Sequence, residues 1–407
     1  MLEQPLFGRR LKQLRTERGL SQAALAGEGM STGYLSRLES GARQPTARAV
    51  EHLSAQLGVD ASAFAESVSD SLTRALAIAA SADSDANVEE VERALAAGGG
   101  QDPLLRWQAL WTVAQWRRRR GEHKKEGESL EELVRLGDEL GLPELRSRSL
   151  TQLARCLRAC GEITRAAEAA TEAHRLAREH GLPVADVAAS LLALVSVESE
   201  GGRLAEARAH ADELTALTRG RTDTLWAEAL WTAAAVRVRQ GDLTSAQELL
   251  DQALAGFPSA ANLSLWTRLR VAAARLHLQK TPPELDVAEQ YVEQAETSLA
   301  FVGIPALGQE VTAIKAEIAF QDGRFADART LLDRVRGTDP DMTYRSRVRL
   351  DILDSRLLII EGDEEEGLQR MRRLAEQAQA ASNIDLAADI WRLLAETLAQ
   401  SRGGSRS

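Results

Sequence analysis

The chain is poor in the residues on which enzymes and secreted scaffolds rely: among 407 residues there are two cysteines, six histidines, ten prolines and 4% aromatics. Two cysteines cannot make the disulfide framework of a small secreted domain. Cys156 and Cys160 lie four apart on one predicted helix, with no histidine cluster beside them in sequence, and a bridge at that spacing would be strained. They read as buried small residues. The histidines are scattered, and His174 and His180, six apart, fall on different faces of a helix. No HExxH pattern, phosphate loop or nucleophile elbow occurs, so no catalytic residue, cofactor or metal is expected. No apolar run approaches the roughly 20 residues that span a bilayer, and the opening MLEQPLFGRR lacks the apolar core of a signal peptide. The expectation is a cytoplasmic protein with no membrane partner. Acidic Glu364 to Glu366 at a helix start and the basic run 117–120 at a helix end read as dipole-complementing charge.

What is present is helix-forming composition and an uneven charge. Residues 1–64 carry eight basic and six acidic side chains, net +2; the remainder carries 42 against 54, net −12. Only the first segment is a candidate surface for DNA, and a modest one. Within it, Phe7, Leu11 and Leu14 recur at helical spacing, and Gly19 ends that helix. Ser21, Ser31 and Thr46 are candidate N-caps for three further helices, and a short fifth piece at 61–64 would close a small bundle. On the predicted helix 31–39, Leu35 and Leu38 point one way while Thr32, Gly33, Ser36 and Arg37 point opposite. Two hydroxyls, a glycine that permits close approach and one long cation suit base edges and phosphates better than a bland solvated face would.

Through LSQAALA, MSTGYLSRLESG and the ARQPT turn, residues 6–64 resemble the helix-turn-helix domain of the xenobiotic-response-element family, the Cro and phage-repressor-like bacterial regulators. The resemblance implies that Gln22, Thr32, Gly33, Ser36 and Arg37 face the major groove, and that Arg43 reaches a phosphate. Ser31 and Tyr34 would position the helix, and Glu39 would be structural, paired with Arg15. One departure is a shortened 26–31 stretch, AGEGMS, between the second and third helices.

Beyond residue 100 an internal period dominates. Gly121, Gly161, Gly202, Gly241, Gly323 and Gly362 follow at steps of 40, 41, 39, 82 and 39, the long step hiding one degenerate unit near 280–284 where prolines replace glycine. Five positions after several of them a small residue recurs: Ala166, Ala207, Ala246, Ala328 and Gly367. GLP at 141–143 and 181–183, with GIP at 303–305, falls in phase as the turn between units. Stacked helical hairpins are the reading, and the region resembles tetratricopeptide-type repeats with a 40-residue unit.

The fold expected is therefore all-α: a five-helix helix-turn-helix DNA-binding domain (1–66), a helical connector (67–100), and a right-handed superhelix of about seven tetratricopeptide-like hairpins (101–400). An unpaired helix 384–400 caps it and a disordered tail (401–407) follows. All seven tryptophans fall on first helices of pairs or on the cap. Trp226, Trp231 and Trp266 are either packing residues or groove contacts, and Asn262 is either a helix cap or a contact to a peptide backbone. The domain order resembles the peptide-pheromone receptor regulators. It implies a homodimer on double-stranded operator DNA whose repeat groove senses a short signalling peptide. The alternative is a repeat-based adaptor for a protein partner, or a constitutive repressor with no small ligand.

Overall fold

Side-chain caps set the helix starts of the N-terminal domain. In the computed structural model, which describes residues 4–64, 68–81, 85–97, 102–337 and 342–404, Ser21, Ser31 and Thr46 accept hydrogen bonds from the N–H groups of Ala24, Tyr34 and Ala49. These bonds satisfy donors that a helix start leaves unpaired. They open α2 (Gln22–Ala26), α3 (Thr32–Glu39) and α4 (Ala47–Leu57), after α1 (Leu6–Glu17). The fifth piece, Ala61–Phe64, is a single 3-10 turn, and Phe64 packs its ring on Phe7 at 5.3 Å. Leu11, Leu25, Leu35, Leu38 and Leu53 complete a core with no exposed surface. α1 crosses the end of α3 at a distance only glycine allows: a Cβ on Gly8 would lie 2.1 Å from the Leu38 carbonyl oxygen.

The connector forms two packed helices, α5 (Val68–Ser81) and α6 (Asp85–Ala96). Residues 98–101, most of the predicted GGGQDP break, lie outside the described residues. The chain divides into two compact units, Met1–Val113 and Ala114–Ser407.

The repeats follow as first and second helices in alternation: α7 (Pro103–Arg119), within which the first unit ends, and α8 (His123–Glu139), then the packed pairs α9 (Pro143–Cys160) and α10 (Ile163–Glu179), α11 (Val184–Glu200) and α12 (Leu204–Leu217), α13 (Thr224–Arg239) and α14 (Leu243–Gly256). Next come α15 (Leu263–Leu278) and α16 (Leu285–Val302), α17 (Pro305–Gln321) and α18 (Phe325–Gly337), α19 (Tyr344–Glu361) and α20 (Glu364–Ala380), then the single α21 (Ile384–Gly404). No strand occurs among the described residues. The six period glycines all adopt left-handed φ, from 71° to 111°, which explains why the repeat is marked by that residue. Ala166, Ala207, Ala246 and Ala328 are fully buried between the helices of their pairs. A Cβ on Gly367 would lie 2.5 Å from the Ser355 carbonyl oxygen, so this pair approaches more closely still. α21 continues through 401–404, where the sequence reading expects disorder; extending an existing helix costs little per residue.

Successive first helices from α9 to α21 touch one another, while no comparable contact joins successive second helices among the described residues. The first helices thus form the inner wall of the stack. The stack also returns on itself: α21 packs on α11, and α19 on α9. Asn383 donates its side-chain N–H to the Gly161 carbonyl at 3.0 Å. Tyr344 lies over Gly161 and Ile384 over Gly202, so two of the repeat-marking turns also receive the C-terminal end. Being packed on several sides, α11 buries residues around its whole circumference, including Glu198 and Glu200.

Candidate nucleic-acid interface and inner wall

α3 is held in the N-terminal domain by a charged clamp. Arg15 of α1 makes two parallel bonds to Glu39, 2.6 and 3.1 Å, and a third to the Leu20 carbonyl. Gln22 of α2 donates to the same carboxylate at 2.7 Å, so three helices meet on one buried side chain. Burial alone would raise the Glu39 carboxyl, but the Arg15 and Gln22 hydrogen bonds hold it below its ordinary value. The Arg15 pairing expected from the resemblance is present. Gln22 differs from the other proposed contacts, because its amide is engaged inside the domain.

The remaining residues of the set share an open surface. Ser31, Thr32, Gly33, Ser36, Arg37 and Arg43 are exposed, while Leu35 and Leu38 are fully buried behind them. A Cβ on Gly33 would meet nothing within 4 Å, so this face is uncovered. The Ser31 hydroxyl caps α3. Half-buried Tyr34 packs on the core, and the Arg43 guanidinium sits 5.0 Å from its ring. Gln4 fixes the backbone here by donating to the Leu38 and Arg43 carbonyls. The sequence reading missed Gln4 and also His52, whose ring Nε2 lies 2.9 Å from the Ala26 carbonyl and fills the space over Gly29.

In the repeats the structure gives the tryptophans packing neighbours. Trp226, Trp231 and Trp266 pack against the core of α13, α14 and α15. Trp226 covers Gly256, and the Arg270 guanidinium lies 3.1 Å from the centre of the Trp266 ring. Asn262 accepts from the Leu265 N–H as the N-cap of α15.

The inner wall is instead rich in arginine. At the seam, buried Glu200 pairs with Arg158 at 2.8 Å and lies 3.7 Å from Arg345 and 3.9 Å from Arg239. Those two arginines also clasp Asp385 of α21. Burial pushes Glu200 and Asp385 up, yet the surrounding guanidiniums win and hold both below their ordinary range. Deeper in, Arg349 faces Arg275, Arg345 and Arg239 with Glu317 as its carboxylate neighbour, and burial pushes it down to about 9. Arg155, beside Arg118 and Arg158 and facing Glu228, is pushed down to about 10. Both stay cationic at neutral pH, and neither has an ion pair or hydrogen bond among the described residues. Half-buried cations without a paired carboxylate attract an anionic ligand. The missed signal is the run of arginines at 345, 349 and 356 along one face of α19.

A second grouping also escaped the sequence reading. Cys156 of α9 lies beside His123 and Glu126 of α8, with their ligating atoms within 4.8 Å of one another. The histidine comes from 33 residues upstream of Cys156, which is why no cluster shows in the local sequence.

Known families account for this architecture. The family of MalT-like TPR regions matches residues 71–400, and the chain belongs to it. A helix-turn-helix domain of the xenobiotic-response-element type matches residues 6–66. No curated protein matches the chain. Among solved structures, a Rap protein complexed with Competence and Sporulation Factor is 11% identical, with 97% of this chain and 98% of the other covered and a TM-score of 0.56. The Rap conjugation gene regulator of plasmid pLS20, in complex with the Phr* peptide, is also 11% identical, covering 92% and 96% with a TM-score of 0.56. PlcR of Bacillus thuringiensis, in complex with the peptide PapR7 and DNA, is 15% identical over 75% and 98%, with a TM-score of 0.41. For the two Rap proteins, at these identities, the likeness is one of fold.

Proposed function

We propose that this protein is a sequence-specific, DNA-binding transcription regulator that acts as a homodimer and receives a short carboxylate-bearing peptide on the inner wall of its repeats. The carrying observation is the open α3 face of Thr32, Gly33, Ser36 and Arg37, presented by a helix whose opposite side is locked by the Arg15–Glu39–Gln22 clamp. Ser31 and Tyr34 position that helix, Arg43 meets a phosphate, and Gln22 acts by holding Glu39. A net charge of +2 makes a single domain a weak binder, so two copies on paired half-sites supply the affinity. The pLS20 Rap regulator, of similar fold, binds a peptide. In this chain Arg155 and Arg349 supply the charge for such a ligand, while Trp226, Trp231, Trp266 and Asn262 serve the wall behind it. A peptide that binds one curvature of the repeats better than another shifts the placement of the two DNA-binding domains.

The test starts from sites defined by genome-wide occupancy. In shift assays on such a site, Arg37→Ala and Thr32→Ala are expected to weaken specific binding by roughly 10- to 100-fold, as for loss of a base or phosphate contact. Unchanged specific binding in both sinks the α3 assignment. For the repeats, calorimetry with acidic peptides against their amidated forms is expected to show binding that Arg349→Ala removes.

A further inference from the structure

We infer that His123, Glu126, Cys156 and Cys160 form a zinc site that clips the start of α8 to the end of α9. Three of the donors, the imidazole Nδ1, the carboxylate and the Cys156 thiol, lie within 4.8 Å of one another. The fourth follows from helix geometry: Cys160 is one turn beyond Cys156 on the same face of α9, half-buried beside the cluster of three and outside its 4.8 Å limit. The pattern is H-x2-E on one helix and C-x3-C on the next, giving two thiolates, one imidazole and one carboxylate. That is a zinc donor set, with enough ligands to close a tetrahedron. Thiolates exclude calcium and magnesium, which take oxygen.

An independent observation points the same way. Glu126 is buried, with 4% of its side chain exposed, and the only basic side chain within ion-pair distance among the described residues is His123, at 3.1 Å. No lysine or arginine among the described residues therefore pairs with this buried carboxylate. A divalent ion supplies the positive charge. Tetrahedral zinc at about 2.0–2.3 Å from each ligand places ligand atoms about 3.3–3.8 Å apart, so His123, Glu126 and Cys156 need close by no more than about 1.5 Å, and Cys160 turns in to complete the set. The competing use of the thiols, a Cys156–Cys160 bridge, is disfavoured by geometry: Cβ atoms four apart on a helix stand about 5–6 Å apart, and a disulfide needs about 3.5–4.5 Å. The clip ends one residue before Gly161, whose turn receives Tyr344 and Asn383, so it braces the hairpin on which the stack closes.

The test uses the full-length protein, reduced, stripped of metal and titrated with Zn2+ and, as a spectroscopic probe, Co2+. Expected are one equivalent bound, a thiolate-to-cobalt charge-transfer band, protection of both thiols from a thiol reagent by zinc, and a rise in Tm on metal addition. Cys160→Ser and His123→Gln are expected to lose the band and the metal-dependent rise while keeping helical circular dichroism. The proposal is overturned if the unmutated chain shows no band and equal thiol reactivity with and without zinc. It is equally overturned if mass spectrometry finds a Cys156–Cys160 disulfide. Because the unmutated chain decides these outcomes, a variant that fails to fold does not blunt the test.

Discussion

The DNA-binding domain and the repeats put arginine to opposite uses. In the domain, Arg37 and Arg43 stand in solvent on an open face, and one buried arginine, Arg15, is matched by a carboxylate with two bonds. In the repeats, a set of arginines lies along the first helices, and two half-buried ones, Arg155 and Arg349, have no ion pair or hydrogen bond among the described residues. An exposed arginine costs nothing to keep and waits for a phosphate. A half-buried one with no carboxylate paired to it is left available to a ligand that carries negative charge.

Several perturbations sharpen that contrast. Five of the seven tryptophans, from Trp116 onward, lie in the Ala114–Ser407 unit, so fluorescence follows chiefly the repeats. The largest effect is expected from Glu200→Ala, which strips Arg158, Arg239 and Arg345 of a shared carboxylate: about 3–5 kcal/mol lost from the tryptophan-reported urea transition. Specific DNA affinity of an isolated 1–66 fragment, if it folds, offers the control that cannot respond. The same seam is sensitive to acid. Glu200 and Asp385 sit below their ordinary 4.5 and 3.8, so the unfolded chain takes up protons first and their contribution, full at neutral pH, falls away as pH drops through and below that range. Asp389 and Glu228, raised by burial, act in the opposite sense and blunt the loss. A urea midpoint that does not fall on further acidification below about pH 4, where both seam carboxylates lose their contribution, contradicts the seam.

Next in size, Gly8→Ala drives a Cβ into the Leu38 carbonyl and is expected to destabilise the DNA-binding domain by about 1–3 kcal/mol, seen as operator binding lost at a temperature below the main tryptophan-reported transition. Gly161→Ala and Gly241→Ala both strain a left-handed turn, by about 1 kcal/mol. Only Gly161 has Tyr344 at 2.7 Å from the added carbon, whereas Gly241 faces open space. A larger loss of Tm at 161 than at 241 is the expected order, and equality of the two argues against closure. Smallest is Asn262→Ala, at about 1 kcal/mol for a lost N-cap. An equal Tm with weakened peptide binding instead restores Asn262 to the ligand site.

Legibility followed sequence separation. The α3 face was readable because Leu35 and Leu38 against Thr32, Gly33, Ser36 and Arg37 is a pattern within two helical turns. The hairpins were readable because glycine is the residue a left-handed turn selects, and it recurs. The Gln22 bond to Glu39 crosses only 17 residues, yet it was missed, since a glutamine at a helix start carries no sign of which way its amide turns. The tryptophans drew attention by rarity, although Trp266 is covered by Arg270 and Trp226 lies on Gly256.

By itself the sequence determined the helices, their caps, the seven-hairpin count, the polar α3 face and the repeat phase. All of these rest on local periodicity and on glycine's backbone freedom. Tertiary structure alone decided that the stack returns on itself, bringing Asn383 to Gly161 across 222 residues and Arg239 to Asp385 across 146. It alone decided which charges surround Arg155 and Arg349, and that His123 and Glu126 meet Cys156. Those juxtapositions sum small rotations over many repeats, and no local pattern of side chains records that sum.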